Sequence, residues 1–310
     1  MKRRTKRLVG VLAGLAILVV GGSWFVGHEI VSASTNLVTN EQTMELYEGS
    51  WDLEGFDFEA FSEAYAIEPQ VMESTLDGHA LTFDVITDPE NPDVVVMAHG
   101  MLGNRLTNYP TAQLFLENGC NVVTYDQRSS GGNEAQGSTF GYLEQYDLID
   151  AVTYARQRFP EARIFVWGES FGGATALLAV AQEEVQQELS GLILDCPVSS
   201  MAFMVRDSLE QMGLPVVDYL LVWGDLVNRQ EWGFSYADAD GAAAAEQITI
   251  PTLIFNSKTD AITPEFMGRE VYDRLSTADK LLYTAEDSAH IEIRNDHRAE
   301  YAAHLREFLA

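Results

Sequence analysis

Short apolar runs alternate with amphipathic stretches along most of this chain, and the alternation predicts strands and helices in turn. The runs are rich in Val, Ile and Leu, which is typical of strands that are buried on both faces of a parallel sheet. The predicted strands are Ala80–Thr87, Asp93–His99, Asn121–Asp126, Arg163–Gly168, Gly191–Cys196, Pro251–Ser257 and Lys280–Ala285.

The stretches between these strands have a helical character. They predict helices over about Thr107–Asn118, Tyr142–Arg158, Phe171–Val185, Pro264–Leu275 and Asp296–Leu309. A chain in which strand and helix alternate in this way folds as a doubly wound, mostly parallel α/β sheet. Residues Ser199–Ala245 interrupt this alternation of strand and helix with about two extra helices. An insertion at this point predicts a small helical cap over the carboxyl edge of the sheet, where α/β proteins bind their ligands.

The N-terminus has a different pattern. Leu8–Gly27 is a stretch of twenty residues without a charge, which is long enough to cross the core of a bilayer as a helix. Five Lys and Arg residues lie in the seven positions before it, and such a cluster marks the cytoplasmic side. We interpret the segment as an uncleaved signal anchor that places the rest of the chain outside the cell. The alternative is a signal peptide cleaved after Ala33, which would give a secreted protein.

These patterns divide the chain into three regions. Residues 1–31 form the basic tip and the transmembrane anchor. Residues 32–70 are polar and acidic with scattered aromatic residues, and we interpret them as a tether followed by a helical extension. Residues 71–310 form the α/β domain, with the cap insertion at about 199–245.

The charge balance excludes one class of function. The chain has 47 Asp and Glu residues against 19 Lys and Arg residues, a net charge of −28. Such an excess of acid repels the phosphates of nucleic acids, so no nucleic-acid partner is expected. We interpret the acidic surface as a solubilising one.

The sequence gives no sign of a disulfide scaffold or a cofactor. Two cysteines, Cys120 and Cys196, exclude a disulfide-rich scaffold. We expect both to be buried free thiols. The alternative, in an exported protein, is one disulfide bond between them. No metal-ligand spacing, phosphate-binding loop or dinucleotide fingerprint occurs, so neither a metal nor a cofactor is predicted.

One short motif carries the strongest chemical signal. Gly168-Glu169-Ser170-Phe171-Gly172 lies between a predicted strand and a predicted helix. A G-x-S-x-G motif at such a junction makes a strained turn that lifts the serine hydroxyl above the sheet. Flanking glycines let strand and helix approach, and the helix N-terminus favours developing negative charge. Ser170 is therefore predicted to be a nucleophile.

A serine nucleophile needs a base. In this type of fold the order along the chain is serine, acid, histidine. Three histidines, His290, His297 and His304, lie near the C-terminal end of the chain. The last two are on the terminal predicted helix, where a solvent-facing role is the simpler interpretation. His290 lies in the loop after the last strand, so it is the predicted base.

The base in turn needs an orienting acid. Asp260 follows the strand Pro251–Ser257 and is the predicted acid. Asp195, at the end of the preceding strand, is the rival and is more simply explained as structural. Asp287 is too close to His290 in sequence to orient it easily.

The tetrahedral intermediate of acyl transfer also needs two hydrogen-bond donors. We predict that one is the backbone N–H of Phe171, which follows the nucleophile. The second is predicted to be the N–H of Met101, in the loop after the strand Asp93–His99. His99 directly precedes this loop, and ordering the loop is its expected role.

Several of these segments together resemble a known superfamily. HGMLGNR, YDQRSSGGNEAQG, GESFGG, TDAITP and SAH stand in the order and spacing of the α/β-hydrolase superfamily. They look most like its membrane-anchored or secreted bacterial members, of the serine aminopeptidase-like and prolyl-oligopeptidase type. The resemblance covers about Val71–Ala310. It implies Ser170, Asp260 and His290 as catalytic residues, with the oxyanion hole at Met101 and Phe171. Ser129 departs from the pattern, because the family usually has glycine at this position.

The predicted protein is a single-pass, membrane-anchored serine hydrolase that cleaves carboxylic esters through an acyl-enzyme. Its partner would be a small-molecule or peptide acyl substrate. Two alternatives stay open: a peptidase or amidase, and a surface binding protein on the same fold without turnover. The Met and aromatic residues of the insertion either line an acyl pocket or simply pack; they are Met201, Phe203, Met204, Met212, Trp223 and Trp232.

Overall fold

The computed structural model describes the backbone of residues 2–310 and the side chains from Ala13 onward. Met1, the first residue of the predicted basic tip, and the side chains of that tip lie outside the described part. The chain folds into two units. The sheet unit comprises Val38–Ser200 and Ala239–Ala310, and the helical unit comprises the chain up to Leu37 together with Met201–Asp238.

The sheet unit contains an eight-stranded sheet with the strand order β1-β2-β4-β3-β5-β6-β7-β8. Strands β1, β2 and β4 pair antiparallel, and all other neighbours pair parallel. This confirms the predicted α/β fold with a mostly parallel sheet. The strands are β1 Ala66–Glu73, β2 Ala80–Thr87, β3 Asp93–Ala98, β4 Cys120–Tyr125, β5 Ile164–Glu169, β6 Gly191–Asp195, β7 Thr252–Ser257 and β8 Lys280–Ala285.

Helices connect the strands. In the sheet unit they are α2 Asn40–Glu54, α3 Phe58–Ala64, α4 Tyr109–Leu116, α5 Glu144–Arg158, α6 Phe171–Val180, α7 Glu183–Gln186, α10 Gly241–Ala245, α11 Phe266–Arg274, α12 Ile293–Asp296 and α13 Arg298–Leu309. The helical unit contains α1 Lys2–Thr35, α8 Met201–Gln211, α9 Val217–Glu231 and a short 3₁₀ turn at Tyr236–Asp238.

The apolar runs become central strands because both faces of the sheet are covered. Every residue of β3, β4, β5, β6 and β7 is buried. One core lies against α5 and α6, and the other lies against α4 and α13. Cys120 and Cys196 belong to the second core, and both are free, buried thiols.

The sheet begins earlier than the predicted domain boundary at residue 71. Strand β1 starts at Ala66, inside the region that we interpreted as a helical extension. Its pattern is hard to detect because it is an edge strand with alternating exposure, and it contains Pro69, which is tolerated only at edges. At the insertion, the chain leaves the sheet unit after Ser200 and returns at Ala239, whereas the sequence predicted about 199–245.

In the helical unit, α1 packs along α9 through small residues. A Cβ atom on Gly27 would lie 2.6 Å from the carbonyl oxygen of Trp223 and 2.8 Å from Val227, so only glycine allows this approach. Gly224 of α9 meets Ile30 in the same way. By length and composition, the apolar helical stretch from Ala13 could cross a membrane.

Candidate active site

The serine motif forms the sharp turn that its sequence predicts. Ser170 follows β5 and precedes α6, with φ 52° and ψ −112°, a strained backbone for a residue with a side chain. A Cβ atom on Gly168 would lie 2.5 Å from the carbonyl oxygen of Gly172, and one on Gly172 would overlap the carbonyl oxygen of Ala98. Glycine at both flanks is therefore a packing requirement of the turn.

The structure brings Ser170, His290 and Asp260 together in one chain of hydrogen bonds. The Ser170 hydroxyl lies 2.8 Å from His290 Nε2. On the other side of the imidazole, Nδ1 lies 2.7 Å from Asp260 Oδ2. With Nδ1–H donating to the carboxylate, Nε2 is left as the acceptor for the serine proton.

Asp260 is held rigidly by its own loop. Its Oδ1 accepts the backbone N–H groups of Ile262 and Thr263 at 2.8 and 2.9 Å, and its Oδ2 accepts the Thr263 hydroxyl at 2.8 Å. Burial by itself raises the pKa of this carboxyl, but the hydrogen bonds from His290 and Thr263 outweigh it and hold the pKa below its usual value. Asp260 is therefore an anion that fixes the orientation of the imidazole. The contribution of Thr263 was not predicted from the sequence.

Asp195, the rival acid, has a different environment. It is fully buried at the end of β6, and its backbone carbonyl accepts the Ser170 N–H at 2.8 Å. Burial, followed by the nearby Glu169 carboxylate, raises the pKa of its carboxyl to about 7. The hydrogen bond of His290 Nδ1 goes to Asp260. Asp287 is exposed and lies near His297.

The two predicted donors border one small recess, which is also lined by His99, Gln127 and Ser138. Phe171 is the first residue of α6, so its N–H has no acceptor within the helix. Met101 follows β3 in the loop that passes close to Ser170, since a Cβ atom on Gly100 would lie 3.6 Å from the Ser170 Cβ. The Phe171 amide therefore adjoins the serine, and the loop that carries Met101 passes close to it.

His99 orders this loop. Its Nδ1 donates to the carbonyl of Gly100 at 2.7 Å, and its Nε2 accepts the Gln127 N–H at 3.0 Å. The Gln127 side chain returns a hydrogen bond to the His99 carbonyl at 2.6 Å. Complete burial lowers the pKa of His99 to about 4, so the ring is neutral. These bonds occupy both ring nitrogens of His99.

A buried ion-pair network beside the serine was missed in the sequence. Arg294 Nη1 donates to Glu169 at 2.5 Å, and Nη2 donates to Glu54 at 3.0 Å. Burial lowers the pKa of Arg294, but the two carboxylates raise it well above its usual value, so it stays a cation. Nη1 also donates to the carbonyl of Ile291, next to His290, at 3.0 Å. A sequence signal existed, because a glutamate that ends a buried strand needs a partner.

Helix α2 belongs to this site, although it lies in the region predicted as a tether and extension. The Asn104 side chain donates to the carbonyl of Thr43 at 2.8 Å, and the Trp51 indole donates to the carbonyl of Leu106 at 2.8 Å. Asn40 donates to three carbonyls of the loop that follows β4. A cavity of about 380 Å³ lies between α2 and the donor loop; its lining includes Leu46, Leu53, Met101, Leu102, Ile291 and Arg294.

The departure at Ser129 has a structural explanation. Ser129 has φ 60°, in the left-handed region that favours glycine. Its hydroxyl accepts the N–H of Gly137 at 2.6 Å, and its own N–H donates to the carbonyl of Ala135. These bonds hold the loop in the same conformation that glycine adopts without strain.

The remaining candidates contribute little to this site. His297 is near Asp287, and His304 packs against Tyr283 with ring centroids 5.0 Å apart. Among the described side chains, one group has ligand atoms close enough to share a metal ion, namely Cys196, Asp260 and His290. Asp260 and His290 already bond to each other, and burial together with the Asp195 and Asp260 carboxylates raises the pKa of the Cys196 thiol well above its usual value. The thiol is therefore a poor metal ligand.

Comparison with known proteins supports the fold. A family model described as alpha/beta hydrolase fold matches residues 93–220. YqkD of Bacillus subtilis is 26% identical over 228 residues, which cover 71% of this chain and 72% of that protein.

Solved structures show the same architecture. The Pyrococcus furiosus esterase Pf2001 superposes with a TM-score of 0.64 at 20% identity, covering 81% of this chain and 94% of the esterase. The esterase EaEST from Exiguobacterium antarcticum superposes with a TM-score of 0.55 at 18% identity, covering 78% of this chain and 99% of that one. At these identities the likeness concerns the fold. The narrower resemblance to serine aminopeptidase-like enzymes stays a prediction.

Proposed function

We propose that this chain, which has the α/β-hydrolase fold, is a serine hydrolase that cleaves carboxylic ester bonds. The observation that carries the proposal is the continuous set of hydrogen bonds from Ser170 through His290 to Asp260. The same arrangement, together with a pair of amide donors, is what covalent acyl transfer requires.

The proposed reaction begins with proton transfer. His290 Nε2 takes the Ser170 hydroxyl proton while Oγ forms a bond to the ester carbonyl carbon. Asp260 stabilises the imidazolium that results. The Met101 and Phe171 amides donate to the oxyanion. Collapse breaks the bond to the alkoxy group, which leaves with the proton from His290. Water then attacks the acyl carbonyl with His290 as base, the bond to Oγ breaks, His290 returns the proton to Ser170, and the carboxylic acid departs.

The cavity beside Met101 supports an apolar acyl group as the bound part of the substrate. Leu46, Leu53, Leu102 and Ile291 contribute apolar surface to it. Arg294 is its cation, and that charge is already paired with Glu169 and Glu54. The cavity thus offers apolar contact without a free cation to select an acidic substrate. An ester is proposed because the tetrahedral intermediate expels an alkoxy group more readily than an unprotonated amide nitrogen.

We also propose that α1 anchors the enzyme in the cell membrane with the sheet unit outside. The support is the uncharged stretch Leu8–Gly27, the basic cluster before it and the length of the apolar helix.

Covalent labelling tests the proposed nucleophile. A fluorophosphonate probe should label the full chain, and Ser170→Ala should abolish the labelling. Ser190→Ala is a matched control, since Ser190 lies outside the site and should keep full labelling. Labelling that survives in the Ser170 variant would overturn the assignment.

A substrate panel tests the bond that is cleaved. We expect turnover of p-nitrophenyl esters, and a much slower reaction with aminoacyl anilides. Preference for the anilides would favour the peptidase alternative. Strong labelling of Ser170 without turnover of either class would favour a binding protein.

A further inference from the structure

The turn between α8 and α9 is apolar and exposed. It reads Met212-Gly213-Leu214-Pro215-Val216, and its three large side chains expose 67%, 41% and 67% of their surface in order. The stripe continues along α9 through Tyr219, Val222 and Leu226, which are also exposed. Contiguous apolar surface of this kind marks an interaction site on a protein.

Contacts within the helical unit place this turn along α1. The hydroxyls of Ser23 and Tyr219 are hydrogen-bonded. Further on, Gly27 meets Trp223 and Val227, and His28 Nδ1 lies 2.7 Å from Glu231. The contacts advance along both helices in the same direction. Helix α9 therefore starts beside the apolar stretch of α1 and runs with it toward the end of that stretch.

The depth of the turn follows from helix geometry. Ser23 lies four residues before Gly27, the end of the predicted span, which corresponds to about 6 Å at 1.5 Å per residue. Val216 precedes Tyr219 by three residues, which adds roughly 4.5 Å. The turn thus lies about 10 Å inside the span, within the outer half of a hydrocarbon core about 30 Å thick.

The surface beside α1 is apolar as well. Leu18, Val19 and Phe25 expose more than half of their surface. A shallow groove joins the two helices and is lined by Leu18, Val19, Val26, Tyr219, Leu220 and Trp223. The apolar surface of the turn is therefore continuous with the apolar surface of the proposed anchor.

Charge decides which kind of bilayer fits this surface. Met201–Asp238 contains six Asp and Glu residues against two Arg residues, so anionic lipids would not attract it. The charges nearest the turn are Glu210 and Asp218, and Arg206 pairs with both, with Nη1 3.6 Å from Glu210 and Nη2 2.7 Å from Asp218. A neutral bilayer that takes up apolar side chains suits both observations.

We propose that the α8–α9 turn inserts into the outer leaflet of the bilayer that α1 crosses, and that its partner is a zwitterionic phospholipid surface. The inference rests on the proposed anchoring by α1. The inserted side chains are Met212, Leu214 and Val216, with Tyr219 and Trp223 at the level where aromatic residues favour the membrane interface. The helical unit is then a two-point attachment to one membrane.

Site-directed fluorescence tests the insertion. Met212→Cys is introduced into the full chain and labelled with an NBD dye; Cys120 and Cys196 are buried and give little background. The protein is reconstituted into phosphatidylcholine vesicles with or without doxyl-labelled lipid. We expect a blue-shifted emission, quenching by the doxyl groups and protection from aqueous iodide. Gln187→Cys, an exposed position in the sheet unit, is the control and should show the opposite behaviour.

A third label separates the inference from the proposed anchor. Val20→Cys, on the exposed face of α1, should be quenched by doxyl lipid whenever α1 is in the membrane. Quenching at Val20 together with iodide-accessible Met212 would overturn the insertion and leave the anchor intact. Absence of quenching at both positions would overturn both. A Met212 label shielded from iodide and from doxyl lipid, with disulfide cross-linking between copies of unlabelled M212C, would assign the surface to a second copy and overturn the insertion.

Discussion

Different kinds of interaction stabilise the sheet unit and the helical unit, each taken by itself. In the sheet unit, buried polar groups bridge distant loops, as when Arg294 joins Glu54 to Glu169 and His99 joins the donor loop to Gln127. In the helical unit, α1 and α9 meet through glycine and apolar side chains, and the described ion pairs lie at the surface. A site that must hold a proton relay in one geometry needs the first kind of structure. A surface that meets lipid is served by the second.

The difference predicts which changes each unit tolerates. Removing one member of a buried polar network leaves its partners unsatisfied, so a single substitution has a large effect. Removing an exposed ion pair leaves its partners in water. Helix packing is sensitive at the point of closest approach and tolerant elsewhere.

The largest effect is expected for the acid of the proposed relay. Asp260→Asn should lower kcat for a p-nitrophenyl ester by about 10⁴-fold, because the amide no longer selects the tautomer in which Nε2 accepts a proton. Asp195→Asn should leave kcat within about tenfold, because His290 is held by Asp260. Circular dichroism checks that both variants fold. Equal losses in the two variants would show that the relay uses both acids.

A large loss of stability is expected when Arg294 is removed. Arg294→Met leaves Glu169 and Glu54 without their cation and should lower the unfolding free energy of the sheet unit by about 3–5 kcal/mol. Hydrogen exchange of the β5 and β6 amides measures this loss. The triple variant with Glu169→Gln and Glu54→Gln should regain most of it, since neither of these two carboxylates is then left as an unpaired charge. A single variant as stable as the wild type would contradict a structural role for the network.

His99 should make the sheet unit sensitive to acid. Its pKa is about 4 in the folded protein and about 6.5 in an unfolded chain. As pH falls from 6.5 to 4, the unfolded chain binds a proton at this histidine and the folded protein does not. The free energy of unfolding therefore falls by about 3 kcal/mol. The free energy of unfolding of the wild type, measured relative to that of His99→Asn, should therefore decrease as pH falls over this range.

The pH dependence of stability has the opposite sign for Asp195, which therefore serves as the control for that measurement. Its folded pKa is raised to about 7, so ionisation opposes folding as pH rises above its ordinary value. The free energy of unfolding of Asp195→Asn should therefore increase relative to that of the wild type as pH rises from 4 to 7. Hydrogen exchange at several pH values follows both variants. If the free energy of unfolding depended on pH in the same way in the wild type and both variants, the shifted pKa values of His99 and Asp195 would be contradicted.

A moderate effect is expected at the closest approach of α1 and α9. Gly27→Ala places a methyl group against the Trp223 carbonyl and should cost the helical unit about 1–3 kcal/mol. Gly21→Ala is the matched control on the same helix, because a Cβ atom there has no described atom within 4 Å. Hydrogen exchange of the α9 amides in vesicles compares the two. Equal protection in both variants would show that the helices do not pack through Gly27.

The smallest effect is expected for an exposed ion pair. Arg229→Ala removes the i, i+4 partner of Asp225, and the Arg229 side chain is 58% exposed. Such pairs are worth less than about 1 kcal/mol, so α8 and α9 should keep nearly the protection of the wild type. A loss of stability as large as that expected for Arg294→Met would contradict the distinction between the buried network of the sheet unit and the exposed ion pairs of the helical unit.

Much of the fold could be predicted because its signals are local. Apolar β-branched runs marked seven of the eight strands, and only the polar edge strand β1 was missed. The junction around Ser170 combined a strand, a glycine-flanked serine and a helix start within a few residues. The order of acid and histidine along the chain then limited the candidates to a few.

The remaining features depend on residues that are far apart in the sequence. Asp260 rather than Asp195 meets His290 because of how two loops approach at the edge of the sheet. Glu54 and Arg294 are 240 positions apart in the chain, and no periodic pattern links them. The packing of α9 on α1 likewise joins two segments that no sequence pattern links. Periodicity and turn chemistry are short-range properties, so the sequence alone determined seven of the eight strands, the helices between them and the serine junction. Which buried charges, loops and helices meet was decided by the tertiary structure, because burial and long-range contacts select those partners.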